Sequence, residues 1–229
     1  MRGLLSLRAT KIQYLNDFKE FNLSVAIART QLEQRRDSLK SVSTVDQIKK
    51  IIDHLDGILS INICAVSFCK EHDLLSQWRG YSSAGGGVSI GFRSSALKGL
   101  AAKQNGQLRP CIYDTDIQHK IIKELIDGII KDIENDADLP TDLMQFTTTF
   151  NTLLIENGAF FKDKRFQEEK EWRLVTAVID YRTLDLKYRP GRSMLISYCA
   201  VALNDLRDKI SSVTIGPCPY PESNYWIIY

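Results

Sequence analysis

The sequence predicts an α+β fold in which a mostly antiparallel, split β-sheet is flanked by helices. Apolar residues recur at helical spacing in the N-terminal part of the chain, about residues 18–60. Short β-type segments separated by turn-prone pairs crowd the second half, without the regular strand–helix alternation of a doubly wound sheet. The 229 residues are 44% hydrophobic and contain no Pro/Ser-rich linker. Residues 1–229 are therefore expected to form one domain with a sheet-rich remainder.

Helices dominate the predicted N-terminal part. In two segments the apolar positions recur at the helical period, and a serine or threonine at the start of the second supplies its N-cap. A strand precedes these helices, and an apolar run after them is typical of a buried strand. The predicted bounds are 6–14 for the first strand, 21–41 and 44–59 for the helices, 61–68 for the buried strand and 70–81 for a helical turn or loop.

Strands are more frequent in the rest of the chain. A serine- and glycine-rich turn over 82–87 leads into a predicted strand over 88–92. Isoleucine and leucine at intervals of four predict a core-facing helix over 117–133, and Pro140 opens a helix that runs to about 158. The remaining predictions are a helix over 94–103, strands over 109–113, 172–179, 184–188, 194–201 and 210–216, and a terminal strand or tail over 225–229.

Composition narrows the function classes. Lys+Arg 30 against Asp+Glu 28 gives a formal charge of +2, far from the balance of a dedicated duplex binder. No apolar stretch approaches the roughly 20 residues of a membrane span, and the N-terminal apolar run is too short for a signal peptide. Five scattered cysteines and three separate histidines predict reduced thiols and no metal site. We expect a cytoplasmic protein.

An acidic cluster stands at the head of a β-type run in the stretch 160–180, FFKDKRFQEEKEWRLVTAVID. On a strand, Glu169, Glu171 and Arg173 would share one face. Such a group can stabilise a developing cation, hold a sugar hydroxyl, or form a solvated ion pair at a sheet edge. The spacing alone favours the ion pair and leaves the other two interpretations open.

A second candidate site surrounds the glycine-rich turn. Gly85-Gly86-Gly87 leads into a strand, whereas the P-loop and the dinucleotide fingerprint both need a helix start there. The turn is either a flexible hairpin connection or a backbone that a ligand can approach closely. Packing is favoured for Trp78 taken alone. The side chains predicted to bind a flat, polar ligand with an anionic group are Gln77, Trp78, Arg79, Tyr81, Ser82 and Ser83.

Four segments, in order, resemble the bacterial family known as domain of unknown function 2971. They are YLND with EF over 14–21, SFCKEHDLLSQWRGYSSAGGGVSIGF over 67–92, FKDKRFQEEKEWRLV over 161–175 and IGP over 215–217. The motif order of that family is similar to the ADP-ribosyltransferase-like fold, in which a split antiparallel sheet grips NAD. In that fold a first-strand His or Arg is followed by a strand with Ser or Tyr, and then by a glutamate often preceded by Glu or Gln two residues earlier.

The resemblance implies NAD as the cofactor and assigns roles to the candidate residues. Tyr81-Ser82-Ser83 would stand for the second motif, with Arg79 on the pyrophosphate and Tyr81 stacked on the nicotinamide. Glu171 would be catalytic, because a carboxylate on the ribose 2′-hydroxyl stabilises the oxocarbenium character of the transition state. Glu169 would orient or deprotonate the acceptor nucleophile.

The implied function is an NAD-dependent, ADP-ribosyltransferase-like bacterial toxin or phage-defence protein acting on an unknown macromolecular acceptor, protein or nucleic acid. Family members open with L-Y-H-Y-T-S, whereas this chain opens at LLSLRAT and lacks that histidine. Either the coding sequence is shortened or part of the NAD pocket is lost. The second case implies a non-catalytic binding or regulatory subunit that works with a partner protein of a defence system.

A nucleic-acid-processing protein is a third alternative. It is suggested only by the basic, tyrosine-containing stretch YRTLDLKYRPGR over 181–192. That stretch fits the exposed faces of a hairpin equally well, and the hairpin is favoured.

Overall fold

A computed structural model describes residues 6–15, 19–82, 86–135, 143–177, 186–191, 193–203 and 209–217. Within these ranges the α-helices are α1 (Lys19–Ser38), α2 (Val42–His54), α3 (Leu75–Tyr81), α4 (Ser94–Lys103), α5 (Thr115–Asn135) and α6 (Leu143–Gly158). The strands are β1 (Ser6–Lys11), β2 (Cys64–Cys69), β3 (Val88–Phe92), β4 (Gln107–Pro110), β5 (Glu171–Val175), β6 (Lys187–Pro190), β7 (Leu195–Ala202) and β8 (Ile210–Ile215).

The strands form two antiparallel sheets. The larger sheet has the order β4-β5-β2-β1-β7-β6, and β3 pairs with β8 in a separate two-stranded sheet. All pairs between these strands are antiparallel. The α+β class with a mostly antiparallel sheet is therefore confirmed, and the strands are divided between two sheets.

Each face of the large sheet covers its own apolar core. One core lies between the sheet and the helices α1, α2, α5 and α6, and it includes Ala65 and Val175 of the sheet. The second core lies against α4, with Cys64 and Leu174 facing it. Neighbouring residues of β2 and β5 thus enter opposite cores, as the alternation of side chains along a strand requires.

The long helix α5 shows why the helical part forms as predicted. Its buried residues recur at intervals of three and four, which places them on one stripe toward α1 and α6. In the second half of α5 the predicted stripe is confirmed, since Ile129 and Ile133 are buried. In the first half the stripe is shifted by one residue: Ile122 and Ile126 are buried, while Ile121 and Leu125 are partly buried. Burial of each such side chain contributes roughly 1.5–3 kcal/mol.

Several predicted bounds change at the ends of elements. The first strand ends at Lys11, and a 3-10 turn takes residues 12–14. Ser41, two or three residues before the predicted cap at Ser43 or Thr44, is the N-cap of α2, and its hydroxyl accepts a hydrogen bond from the Thr44 backbone N–H. The predicted segments around Pro140 and over 225–229 lie outside the described residues.

Candidate functional site

A cavity of about 540 Å³ opens on the face of the large sheet near the ends of β1, β2 and β5. Its floor is formed by side chains of these strands, and Gln77 and Tyr81 of α3 border it on one side. Aromatic rings of Tyr14 and Phe166 line it as well. The cavity contains both cationic and anionic side chains, so a ligand with separated polar groups would find partners of both signs.

Two glutamates and a lysine meet at the floor of this cavity. The ammonium of Lys162 donates to Glu169 Oε2 at 2.5 Å and to Glu171 Oε2. The Lys162 and Glu171 side chains are each only 6% exposed, whereas Glu169 is 22% exposed. Because an ion buried in this way is stabilised mainly by its partners, the three groups depend on one another.

The Glu171 carboxylate is held from two further directions. Arg173 Nε donates to its Oε1 at 2.8 Å, and the Ser67 hydroxyl donates to the same oxygen at 2.5 Å. Arg173 is itself buried, and its Nη1 donates to the Ala159 carbonyl at 2.9 Å. Ser67 is exposed on the cavity side of β2. Both oxygens of Glu171 are therefore fixed, with the serine hydroxyl as the neutral donor among charged ones.

The backbone conformation that brings the two glutamates together differs from the predicted strand. Residues Lys164–Glu169 form a 3-10 turn, which Asp163 caps by accepting from the Arg165 N–H. Lys170 then takes a left-handed conformation, with φ of 44°, before β5 begins at Glu171. The prediction that Glu169 and Glu171 share a face by strand alternation is wrong. They converge on Lys162 across the left-handed Lys170, which joins the 3-10 turn to β5.

The electrostatic surroundings keep Glu171 ionised. Burial alone would raise the pKa of this carboxyl, but the guanidinium of Arg173 and the ammonium of Lys162 outweigh burial and lower it. The neighbouring Tyr113 hydroxyl accepts from the Glu171 backbone N–H at 2.8 Å. Burial is the main cause that raises the pKa of Tyr113 to about 12, so this phenol stays protonated at neutral pH.

The structure divides the residues predicted around the glycine-rich turn. Gln77 and Tyr81 line the same cavity as Glu169 and Glu171. Trp78 and Ser82 line a smaller adjoining cavity of about 190 Å³, which shares Cys69, Gln77 and Tyr81 with the larger one. Arg79 is exposed on α3 and lines neither cavity, and Ser83 lies outside the described residues.

Trp78 has a packing role, as favoured from the sequence. Its Nε1 donates to Asp73 Oδ1 at 2.7 Å, and its backbone carbonyl accepts from the Ser82 hydroxyl. A Cβ added at Gly216 would lie 2.7 Å from two Trp78 ring carbons, so the ring rests directly on that glycine. Trp78 thus joins α3 to the end of the two-stranded sheet.

Sequence reasoning missed several side chains of the cavity. Lys162, Ser67 and Arg8 were not predicted as site residues. Ser67 and Lys162 nevertheless lie in the segments 67–92 and 161–175, which contain predicted site residues. Arg8 is in the LLSLRAT segment and projects from β1 into the cavity, where Arg189 of β6 also lies. The usable signal was that the expected first motif carries a histidine or an arginine. Lys162 and Ser67 had no signal, because only the folded chain brings them to Glu171.

Comparison with known protein families gives one match. Residues 77–174 match the family described as a protein of unknown function, DUF2971. The family resemblance expected from the sequence is confirmed over this segment. The DUF2971 segment includes Lys162, Glu169, Glu171 and Arg173, but Ser67, Arg8 and Arg189 lie outside it. No curated protein and no solved structure matches the chain.

Across the described ranges, no group of three or more His, Cys, Asp and Glu side chains is arranged to hold a metal ion. None of the helices in the described part of the chain has the length and apolar character of a membrane span.

Proposed function

We propose that the protein is an ADP-ribosyltransferase-like enzyme that binds NAD in the larger cavity and cleaves the bond between nicotinamide and ribose. The observation that carries this proposal is the contact of Ser67 on β2 with Glu171 on β5, beside Arg8 on β1. An arginine on the first strand, a serine on a following strand and a glutamate with another glutamate two residues earlier are the elements that the resemblance implies. Here Arg8, Ser67 and Glu171 lie on three adjacent strands around one cavity, and Glu169 reaches the same cavity from the 3-10 turn before β5.

The size and lining of the cavity support NAD as the ligand. Its volume of about 540 Å³ lies within the usual range of ligand pockets, roughly 300–1,000 Å³. Arg8 offers a guanidinium to a pyrophosphate, which two parallel N–H groups can bind bidentately. Tyr14, Tyr81 and Phe166 offer ring faces to flat heterocycles. Division of the strands into a six-stranded and a two-stranded sheet also supports the proposal, because the resemblance implies a split sheet.

The ion cluster suits the chemistry at the ribose. As the bond between C1′ and the nicotinamide nitrogen breaks, the nicotinamide leaves with the electron pair and positive charge develops on the sugar. Glu171, fixed by Arg173 and Lys162, supplies negative charge there, and a ribose hydroxyl replaces the Ser67 hydroxyl as its donor. Glu169 is more exposed and accepts the proton of the incoming nucleophile. The acceptor then forms the new bond to C1′.

The same cluster also favours a second candidate function, a binding module without catalysis. Both oxygens of Glu171 are already bonded to Ser67, Arg173 and Lys162, an arrangement that a purely structural ion cluster would also show. Such a module would bind NAD without turning it over. A role in a bacterial toxin or phage-defence system, and a cytoplasmic location, belong to the proposal and are supported by the resemblance alone.

Nicotinamide release from NAD, measured with the purified protein and candidate acceptors, tests the enzymatic proposal. We expect Glu171→Gln and Glu169→Gln to lower the rate by roughly 10²–10⁴-fold, the range of a lost charge-stabilising group or general base. Glu124→Gln is the matched control, since Glu124 on α5 is exposed, lines neither cavity and should leave the rate within about twofold. Calorimetric titration with NAD tests binding separately, and Arg8→Ala should weaken it about tenfold.

The outcomes separate the two candidates. Release that is equal in the wild type and in folded Glu171→Gln contradicts the enzymatic proposal. NAD binding without release supports the binding module. Absence of NAD binding contradicts both.

A further inference from the structure

We propose that the cavity-side face of β1, β7 and β6 binds a single-stranded nucleic acid, and that this nucleic acid is the acceptor for the neighbouring cavity. The acceptor role rests on the proposed function, whereas the binding itself does not. We call this face the basic strip and define it by four residues, Arg8, Lys187, Arg189 and Tyr198.

The strand register places these four side chains on one face. Tyr198 of β7 lies opposite Thr10 of β1 on one side and opposite Lys187 of β6 on the other. Residues directly opposite each other in an antiparallel pair project to the same face, and residues two apart on one strand do so too. Arg8 is two residues from Thr10, and Arg189 is two residues from Lys187. Thr10, Arg8 and Arg189 line the larger cavity, which shows that this face is the cavity side.

The basic strip carries three cations around one aromatic ring. The guanidinium carbon of Arg8 lies 5.4 Å from the centre of the Tyr198 ring, within cation–π distance. Lys187 and Arg8 are exposed, and Arg189 and Tyr198 are half-buried. Within the described part of the chain, none of the three cations forms an ion pair. The carboxylates of the adjoining cavity, Glu169 and Glu171, are instead bonded to Lys162.

A polyanion with flat bases fits the basic strip better than NAD alone. Arg8 and Arg189 border the cavity, but Lys187 and Tyr198 are not among its lining residues, so the strip extends beyond the space that NAD would fill. Cations repeated along a strand follow a phosphate backbone, and an aromatic ring between them provides a platform on which any base can stack. The small net charge of +2 does not suit a duplex binder, and unpaired bases can reach the cavity without being flipped.

The transfer would join the nucleic acid to the ribose. A ring nitrogen or a terminal phosphate oxygen of the strand forms the bond to C1′, nicotinamide leaves with the electrons of the broken bond, and any proton of the nucleophile goes to Glu169. The basic strip would hold the strand at the entrance while Glu169, the more exposed carboxylate, faces the nucleophile.

Fluorescence anisotropy with a labelled 12-nucleotide strand, DNA or RNA, tests the binding without NAD. We expect salt-dependent binding, and Lys187→Ala/Arg189→Ala should weaken it at least tenfold and reduce the magnitude of the slope of log K against log salt by about 1.4, or 0.7 for each lost phosphate contact. The matched control is Lys120→Ala/Lys123→Ala on α5, which removes the same charge and should change affinity less than twofold. Tyr198→Ala should weaken binding roughly tenfold, whereas Tyr198→Phe, which keeps the ring, should not.

Each result decides between the inference and its alternatives. No binding at 50 mM salt, equal effects of the two double variants, or displacement of the strand by an equal concentration of poly-glutamate contradicts a nucleic-acid surface. Binding with the expected variant effects, and transfer of label from NAD to the strand, supports the whole inference. If the strand binds but NAD is not cleaved, the proposed function fails while the binding surface stands. If NAD is cleaved and the strand is not bound, only the inference fails.

Discussion

Replacing Lys162 by methionine should destabilise the fold more than any surface lysine change. Methionine keeps most of the apolar stem and removes the ammonium that both glutamates share. Removing one partner of a buried ion pair costs about 3–5 kcal/mol, because the remaining charge stays buried. Here the lower end applies, since Arg173 and Ser67 still hold Glu171 and the 22% exposed Glu169 can be hydrated.

The expected loss of stability is large for a protein of this size. About 3 kcal/mol is a substantial part of a typical unfolding free energy of roughly 5–15 kcal/mol. At roughly 2–4 °C per kcal/mol for a chain of this length, the melting temperature should fall by about 6–12 °C. Urea denaturation followed by circular dichroism gives the free energy, and thermal melts give the shift.

Two comparisons make the test specific to the ion cluster. Lys123→Met breaks an exposed pair with Asp127 and should change the unfolding free energy by less than about 0.5 kcal/mol. Adding Glu169→Gln to Lys162→Met should recover part of the loss, because one of the two facing charges is removed. If Lys162→Met unfolds at the same urea concentration as wild type, the buried cluster as described does not exist.

Three further predictions concern stability and reactivity. Despite burial, the cationic partners of Glu171 lower its pKa from the ordinary value of 4.5. Its contribution to stability is therefore complete above about pH 4.5 and is lost as pH falls through the folded-state pKa. In an acid titration, the free energy of unfolding of Glu171→Gln should fall less than that of the wild type. Gly216→Ala should lower the free energy of unfolding, measured by urea denaturation, by about 1–3 kcal/mol, because its Cβ would overlap the Trp78 ring. Gly128→Ala in the exposed part of α5 should instead raise it by about 0.5–1 kcal/mol. Equal effects would show that the Trp78 contact is absent. Burial raises the pKa of the Cys69 thiol, so iodoacetamide should alkylate it more slowly in the native than in the urea-unfolded chain, as followed by mass spectrometry of its peptide; equal rates would contradict its partial burial.

The fold class was predictable because periodicity reports on which face of an element is buried. The strand over 88–92 and the helix over 94–103 have the predicted bounds, since glycines precede the strand in the sequence and polar residues end the helix. The predicted bounds of an element were wrong where local hydrogen bonds compete with strand pairing, as in the 3-10 turn that follows β1. Separation of β3 and β8 from the other strands depends on long-range pairing, which no local pattern contains.

The candidate site was predictable only in part. The importance of Glu169 and Glu171 followed from their composition and spacing, yet the reason given for their proximity was wrong, because the conformation of Lys170 overrides strand alternation. Lys162 and Ser67 reach Glu171 through contacts between residues 9 and 104 positions apart. The residues next to Arg79 in the sequence suggested that it binds an anion, but Arg79 is exposed to solvent on α3.

Because Lys170 is left-handed and lies directly before β5, the site depends on the number of residues between the two glutamates. A substitution on the outer side of the 3-10 turn leaves the geometry intact, whereas a single residue inserted or deleted between Glu169 and Glu171 would carry one carboxylate away from the Lys162 ammonium. We therefore expect a homologous chain that retains the cluster to keep the interval Glu, one residue, Glu, one residue, Arg. This spacing can be used to separate distant sequences that can form the ion cluster from those that share only the fold.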